Sequence, residues 1–278
     1  MEKIHKGYVD MVNGIVEFSL PKVGVDSHAH LDLEDLYCEV DNILKRARGV
    51  GIEYVGNVFL SPSAYLENRH LFDEHRDVFF VVGLHPHESH SFSPSMLDEI
   101  KEIVAEDVRV KAVGEIGLDF FRNLSSRQEQ IRAFEAQLEL ARDMDVPVVI
   151  HCRDALSETL RILEDMGFKG RRLMWHCFTL GRDEAGEILA RGWMVSIPGV
   201  VTFKKAEALR DAVKEIPLSR MLIETDCPFL TPSPFRGKRN EPAYVAYTAQ
   251  AISSIKGIGL TEVWRETGKN AKDFFSLK

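Results

Sequence analysis

The sequence predicts a single-domain α/β fold, a (β/α)8 barrel, on three observations. Eight short apolar runs of strand length recur: VGVDS, EYVGNVF, VFFVVG, VKAVG, VPVVIH, RLMWH, WMVSIPG and MLIET. Segments with helical spacing lie between most of them, and the 278 residues suit a barrel of this kind. Strands apolar throughout, alternating with helices, imply a parallel sheet covered on the outside. A doubly wound open sheet is the competitor, but its GxGxxG fingerprint is missing and eight strands at this length favour closure.

Taken in order, residues 1–22 precede the first run, and the alternation in YVDMVNGIVEFSL predicts a small strand or hairpin covering the barrel's N-terminal side. The expected division is therefore an extension, 1–22, and a barrel, 23–278. After the first strand, residues 35–49 place Leu36, Val40, Ile43, Leu44 and Ala47 at helical spacing and end on Gly49. In residues 125–144, Ser125 or Ser126 caps a helix whose buried stripe is Ile131, Phe134, Leu138 and Ala141. The one long Pro- and Gly-rich segment, 226-DCPFLTPSPFRGKRNEP-242, is expected to be functional, as long irregular loops in compact domains usually are.

Apolar residues make up 45% and charged residues 28%, enough to bury a full core. No apolar run reaches the roughly 18–20 residues needed to cross a bilayer, and the N-terminus lacks a signal peptide's apolar core. No membrane association and a cytoplasmic address are expected. Cys38, Cys152, Cys177 and Cys227 form no CxxC pair and are expected to be reduced. A net charge of −8 argues against coating nucleic acid through a broad basic surface, though not against a local basic pocket.

The polar residues at the ends of these runs carry the chemistry. His28 and His30 follow the first, His85 and His87 (GLHPH) the third, Glu115 (GEIGLD) the fourth, His151 (IHCRD) the fifth, His176 (WHC) the sixth and Asp226 (ETDCP) the eighth. In a barrel all these ends open on one face. Singly, each has an ordinary reading: a hydrogen-bonded structural histidine, a turn aspartate, a loop glutamate. Jointly they read as a metal centre, because that many buried polar groups without partners would be costly. Four of the histidines with the two carboxylates make six protein ligands, more than one tetrahedral ion with an open position takes, so two divalent ions bridged by a carboxylate are expected. Imidazole-rich mixed ligation leaves the ion open among Mg, Mn or Zn. Asp26, one pleat before His28, either orients an imidazole or simply ends a strand. Cys152, Cys177 and Cys227 each follow a candidate ligand, and strand alternation points them away from it.

The motifs VDSHAHLD, GLHPH, VGEIGLDFFR, PVVIHCRDA, WHCFT, ETDCPFL and RNEP, in this order, resemble the TatD family of metal-dependent deoxyribonucleases, within the amidohydrolase superfamily. The resemblance covers roughly residues 23–275. It implies a barrel with a divalent-metal centre that hydrolyses phosphodiesters, with DNA single strands or 3′ ends as substrate. Carried over by motif, it assigns His28, His30 and Asp226 to one ion, Glu115 to the bridge, and His151 and His176 to the other. His85 and the run Arg239, Asn240, Glu241 match positions near the substrate. The 22-residue extension departs from the family pattern, in which the HxH pair lies close to the first residue. Glu115 stands where other superfamily branches carry a carboxylated lysine.

On this reading Asp226 is the candidate general base, with Glu115 also catalytic, and Arg153 and Arg239 are candidate phosphate contacts. Arg122, Arg236 and Lys238 are further basic candidates, and Phe120, Phe121 and Phe203 could stack a terminal base. The expected activity is 3′–5′ exonucleolytic and distributive. The alternatives are a hydrolase of a small-molecule or aminoacyl-tRNA ester or amide bond, and a catalytically silent metal-binding scaffold.

Overall fold

The computed structural model describes residues 8–12 and 15–278. The chain begins with an antiparallel hairpin, β1 (Tyr8–Val12) with β2 (Ile15–Ser19). The rest of the predicted extension, residues 1–7 and 13–14, lies outside the described residues. Eight parallel strands follow: β3 (Gly24–Ala29), β4 (Ile52–Phe59), β5 (Val78–Val82), β6 (Val110–Asp119), β7 (Val148–Arg153), β8 (Leu173–Trp175), β9 (Met194–Ile197) and β10 (Met221–Ile223). Each pairs with the next in sequence, and all eight coincide with the apolar runs. The seam between last strand and first is closed just beyond β10. There the Asp226 amide donates to His28 O at 2.9 Å and the His30 amide to Cys227 O at 2.8 Å.

The outer ring is built by α1 (Val40–Val50), α2 (Pro62–Asn68), α3 (Pro94–Glu106), α4 (Arg127–Asp143), α5 (Leu156–Asp165), α6 (Arg182–Ala190), α7 (Glu207–Glu215), α8 (Val245–Lys256) and α9 (Leu260–Phe275). Ser126 caps α4 in a reciprocal box with Glu129. The first predicted helix ends later than its glycine indicated. Gly49 lies inside α1, and Gly51, at φ 109°, caps it in the left-handed region. No helix among the described residues is long and apolar enough to cross a membrane.

The barrel interior is apolar in its lower half. Val25, Val58, Phe79, Val81, Ala112, Val149, Met174 and Leu222 pack there against Ala271, Phe274 and Phe275 of α9. The Phe275 and Phe79 rings lie 4.6 Å apart, so among the described residues α9 closes the N-terminal mouth. The hairpin's expected place there is corrected: Phe18 of β2 meets Tyr247 of α8 edge-on at 4.8 Å, on the barrel's flank. α9 approaches so closely because Gly268 has no side chain; a Cβ there would sit 2.0 Å from Val23 O.

Candidate metal centre

The upper half of the interior is polar. His28 lies within β3 and His30 just past it, His151 within β7, His176 directly after β8 and Asp226 in the loop after β10. Glu115 is not at a strand end, as the sequence predicts, but in the middle of β6, which continues to Asp119. The register slips between Val113 and Ile116, and Gly117 at φ 146° lets β6 pass so close to β7 that a Cβ would meet His151 O at 1.9 Å. That irregularity brings Glu115 to the barrel axis.

There Glu115 separates the histidines into two sets. Its Oε2 lies 3.2 Å from His28 Nε2 and 3.7 Å from His30 Nε2. Its Oε1 lies 2.5 Å from His151 Nδ1, 3.3 Å from His176 Nε2 and 3.5 Å from His85 Nε2. Asp226 Oδ1 is 3.3 Å from His30 Nε2 and 3.9 Å from His28 Nε2. Donor atoms of His28, His30 and Asp226 lie within 4.8 Å of one another, as do those of His28, Glu115 and His176. His30 Nδ1–H donates to Val58 O at 2.9 Å, which turns Nε2 toward the centre. Convergent imidazole nitrogens and carboxylate oxygens, with only His151 and Asp226 partly open, suit divalent transition ions.

Behind these groups stand two carboxylates that sequence reasoning did not single out. Asp119 Oδ2 lies 3.1 Å from His151 Nε2 and 2.8 Å from His87 Nε2. Its Oδ1 accepts the amides of Phe121 and Arg122 at 3.1 and 2.7 Å. Glu224 Oε1 lies 3.0 Å from His176 Nδ1 and accepts the Cys177 amide at 2.8 Å. Two buried glutamines of α4 pin the backbone that carries the site. Gln137 exchanges bonds with Leu84 N and O, and Gln130 with Asp119 N and O.

The electrostatics follow from burial set against opposite charge. Burial alone would raise Glu115, yet the charge of His176 and hydrogen bonds from His151 and His28 hold it well below the usual range. Asp119 is likewise held low, the imidazoles and the Arg122 amide outweighing burial. Burial opposes charge on His176, but Glu224 and Glu115 outweigh it and raise it to about 10; Asp226 does the same for His30, to about 9. Burial pushes His85 down to about 4, so this imidazole is neutral. Asp26 orients no imidazole. Fully buried and raised to about 8, it accepts the Thr225 amide at 2.9 Å and hydroxyl at 2.6 Å, fixing the turn that presents Asp226.

The candidate substrate residues are placed unequally. His85 is buried at the centre; its Nδ1 accepts the His87 amide at 3.2 Å, so its proton sits on Nε2, facing Glu115. Arg153 stands on the rim with its guanidinium 3.9 Å above the Phe121 ring. Arg239 is committed elsewhere, donating to Asp35 O at 2.7 Å and Glu39 at 3.0 Å. Asn240 and Glu241 hold the long loop down, Asn240 through Thr225 O and Phe229 O, and Glu241 through paired bonds to Arg46. Arg236 covers the Phe203 ring at 4.4 Å and Lys238 the Phe235 ring at 5.9 Å, whereas the Arg122 contact is made by its backbone amide.

Of the three candidate stacking rings, Phe121 is exposed, at 58%, while Phe120 and Phe203 are half-buried. Phe229, which the sequence reading passed over, is 52% exposed and 6.4 Å from the His30 ring. Cys177 does not point away as alternation predicts. β8 has already ended, the residue sits at φ 48°, and its sulfur lies within 4.8 Å of the His176 and Asp226 donor atoms. Cys227 is buried in the core, and Cys152 accepts the Thr159 hydroxyl at 3.5 Å.

Comparison with known proteins places this architecture. The TatD related DNase family model matches residues 25–276. The chain is 36% identical over 252 residues, 91% of its length and 98% of the relative's, to "Uncharacterized metal-dependent hydrolase YabD" of Bacillus subtilis (strain 168). It is 33% identical over 246 residues, 85% of its length and 93% of the relative's, to "3'-5' ssDNA/RNA exonuclease TatD" of Erwinia tasmaniensis. The fold matches the crystal structure of YjjV, a TatD homologue from Escherichia coli K12, with a TM-score of 0.85 at 23% identity, covering 92% of this chain and 99% of that one. A barrel whose polar end gathers five histidines around one glutamate, matched along its length by that family model, belongs to the TatD family of metal-dependent hydrolases.

Proposed function

We propose that the protein is a two-metal phosphodiesterase that removes nucleotides from the 3′ end of single-stranded DNA. The observation that carries this reading is Glu115, with one carboxylate oxygen toward His28 and His30 and the other toward His151 and His176. The Erwinia relative, named as a 3′–5′ ssDNA/RNA exonuclease, supports the substrate.

His28, His30, Asp226 and Glu115 would hold one ion, and His151, His176 and Glu115 the other. When bound, the ions supply Lewis acidity and bring the pKa of a coordinated water toward neutrality. Asp226, whose side chain is 13% exposed, would accept the proton of the water that attacks phosphorus. The neutral His85 offers its Nε2–H to a non-bridging phosphoryl oxygen, without adding a charge next to the histidine cluster. The P–O3′ bond breaks, releasing a 5′-mononucleotide and leaving a 3′-hydroxyl on the shortened strand. The exposed Phe229 and Phe121 rings, with Arg153, form a rim for the terminal base and the neighbouring phosphate. Arg239 serves this reading by holding the long loop against residues 35–39. With a net charge of −8 and Arg239 committed to Asp35 and Glu39, degradation is distributive.

The test is metal-reconstituted protein incubated with 5′-labelled and 3′-labelled single strands, an aminoacyl ester and a generic phosphodiester, under Mg, Mn or Zn, beside Glu115→Ala and Asp226→Ala. A ladder shortening from the 3′ end, absent in both variants, is expected. Cleavage confined to the ester, or none above the variants, overturns the nuclease reading.

A further inference from the structure

The two candidate centres are built from unequal numbers of charges. Around His28 and His30 two carboxylates stand in direct reach, Glu115 Oε2 at 3.2 and 3.7 Å and Asp226 Oδ1 at 3.9 and 3.3 Å. On the His151 and His176 side the direct carboxylate is the other oxygen of Glu115; Asp226 is 4.0 Å from His176 Nε2. A divalent ion there would meet less negative charge in its own ligands.

The groups behind the imidazoles are unequal in the opposite sense. His30 rests on a neutral partner, the Val58 carbonyl at 2.9 Å, and the buried Nδ1 of His28 has no hydrogen-bond partner among the described residues. His151 has Asp119 behind it, Nε2 to Oδ2 at 3.1 Å. His176 has Glu224 behind it, Nδ1 to Oε1 at 3.0 Å. Both carboxylates are buried to 0% exposure and held in place. Asp119 is fixed by the amides of Phe121 and Arg122, and its own main chain is gripped by Gln130. Glu224 is fixed by the Cys177 amide at 2.8 Å, and among the described residues its Oε2 has no hydrogen-bond partner. A carboxylate behind an imidazole fixes its tautomer and orientation and makes the opposite nitrogen a better donor.

We propose that Asp119 and Glu224 are positioning residues that supply, through His151 and His176, the negative charge the second centre lacks among its direct ligands. The second ion then depends on these two residues, while the first depends on Asp226. The assignment rests on the two-ion reading of the site.

The experiment is metal stoichiometry and affinity, by titration calorimetry and elemental analysis, on the full chain and on Asp119→Asn and Glu224→Gln. The Co(II) absorption spectrum serves as a signature of each centre, and His28→Ala marks the first. Thermal unfolding of the metal-free proteins checks that each variant folds. Wild type is expected to bind two ions per chain. Each variant is expected to weaken one of them by about 10- to 100-fold, with the other unchanged and metal-free stability preserved. The Co(II) band lost should differ from that lost in His28→Ala. Two ions bound with wild-type affinity in both variants overturn the proposal, as does equal weakening of both ions, which marks a merely structural role. A wild-type chain that binds a single ion overturns the two-ion reading first, and the assignment with it.

Discussion

The two mouths of this barrel share the same eight strands and are filled by opposite chemistry. At the N-terminal mouth Phe79, Phe274 and Phe275 pack with small aliphatics, and α9 seals the opening. At the C-terminal mouth histidines, Glu115 and Asp226 are almost as deeply buried, yet their ring nitrogens and carboxylate oxygens converge on one another. The difference teaches that burial alone does not define a core. One end gains stability from apolar area removed from water, whereas the other spends stability on an arrangement that only a cation completes.

Four substitutions would break or sharpen that contrast. Glu115→Ala removes the group both candidate centres share. Its kcat on a labelled single strand is expected to fall on the order of 10⁴-fold, with metal content falling too. At the opposite mouth Phe275→Ala is expected to cost about 3–5 kcal/mol in denaturant unfolding, with metal content per folded chain unchanged. An equal loss of bound metal would show that the two ends are not independent. Phe229→Ala sits on the rim of the polar mouth; loss of a base stack should raise KM by an amount worth about 1–3 kcal/mol, with kcat little changed. Asp77→Asn, at the start of β5, is the smallest. Burial alone would raise the Asp77 carboxyl, but hydrogen bonds from Arg48 at 2.6 and 2.7 Å hold it below its ordinary value. A depressed folded pKa contributes stability that is present above the unfolded value of 3.8 and is lost as pH falls through the folded value. For a partly exposed pair the effect at pH 7 is about 1 kcal/mol at most. The wild-type and variant stabilities should therefore converge in acid.

The fold was legible because every barrel strand is a bounded apolar run. The candidate metal ligands stood out because six of the eight runs lead into a histidine or carboxylate that an apolar strand does not otherwise need. Asp119 and Glu224 were harder to see. Asp119 shares the parity of Glu115 along β6, which is a usable signal, but the register slip after Val113 masks where the strand ends. Glu224 stands two residues before Asp226, and the left-handed turn at Asp226, φ 55°, breaks the alternation that would have related them. Gln130 and Gln137 lie seven residues apart on the buried face of α4, where their polarity hid them from an apolar stripe. The role of α9 at the lower mouth depends on Gly24 and Gly268 meeting across 244 residues of chain (268 − 24), a contact no local pattern encodes.

The seam of the barrel also has a topological meaning. The two hydrogen bonds that join its ends, Asp226 N to His28 O and His30 N to Cys227 O, are made by the backbones of the three residues whose side chains face the first centre and of Cys227 beside them. An ion held by His28, His30 and Asp226 would therefore be a cross-link between the first and last strands. It would close a loop of 198 residues (226 − 28), most of the folded chain. The entropy of closing a loop grows with the logarithm of its length, so a clip placed here restrains the unfolded chain more than one joining neighbouring strands. The same cation that serves the chemistry would act as the barrel's clasp.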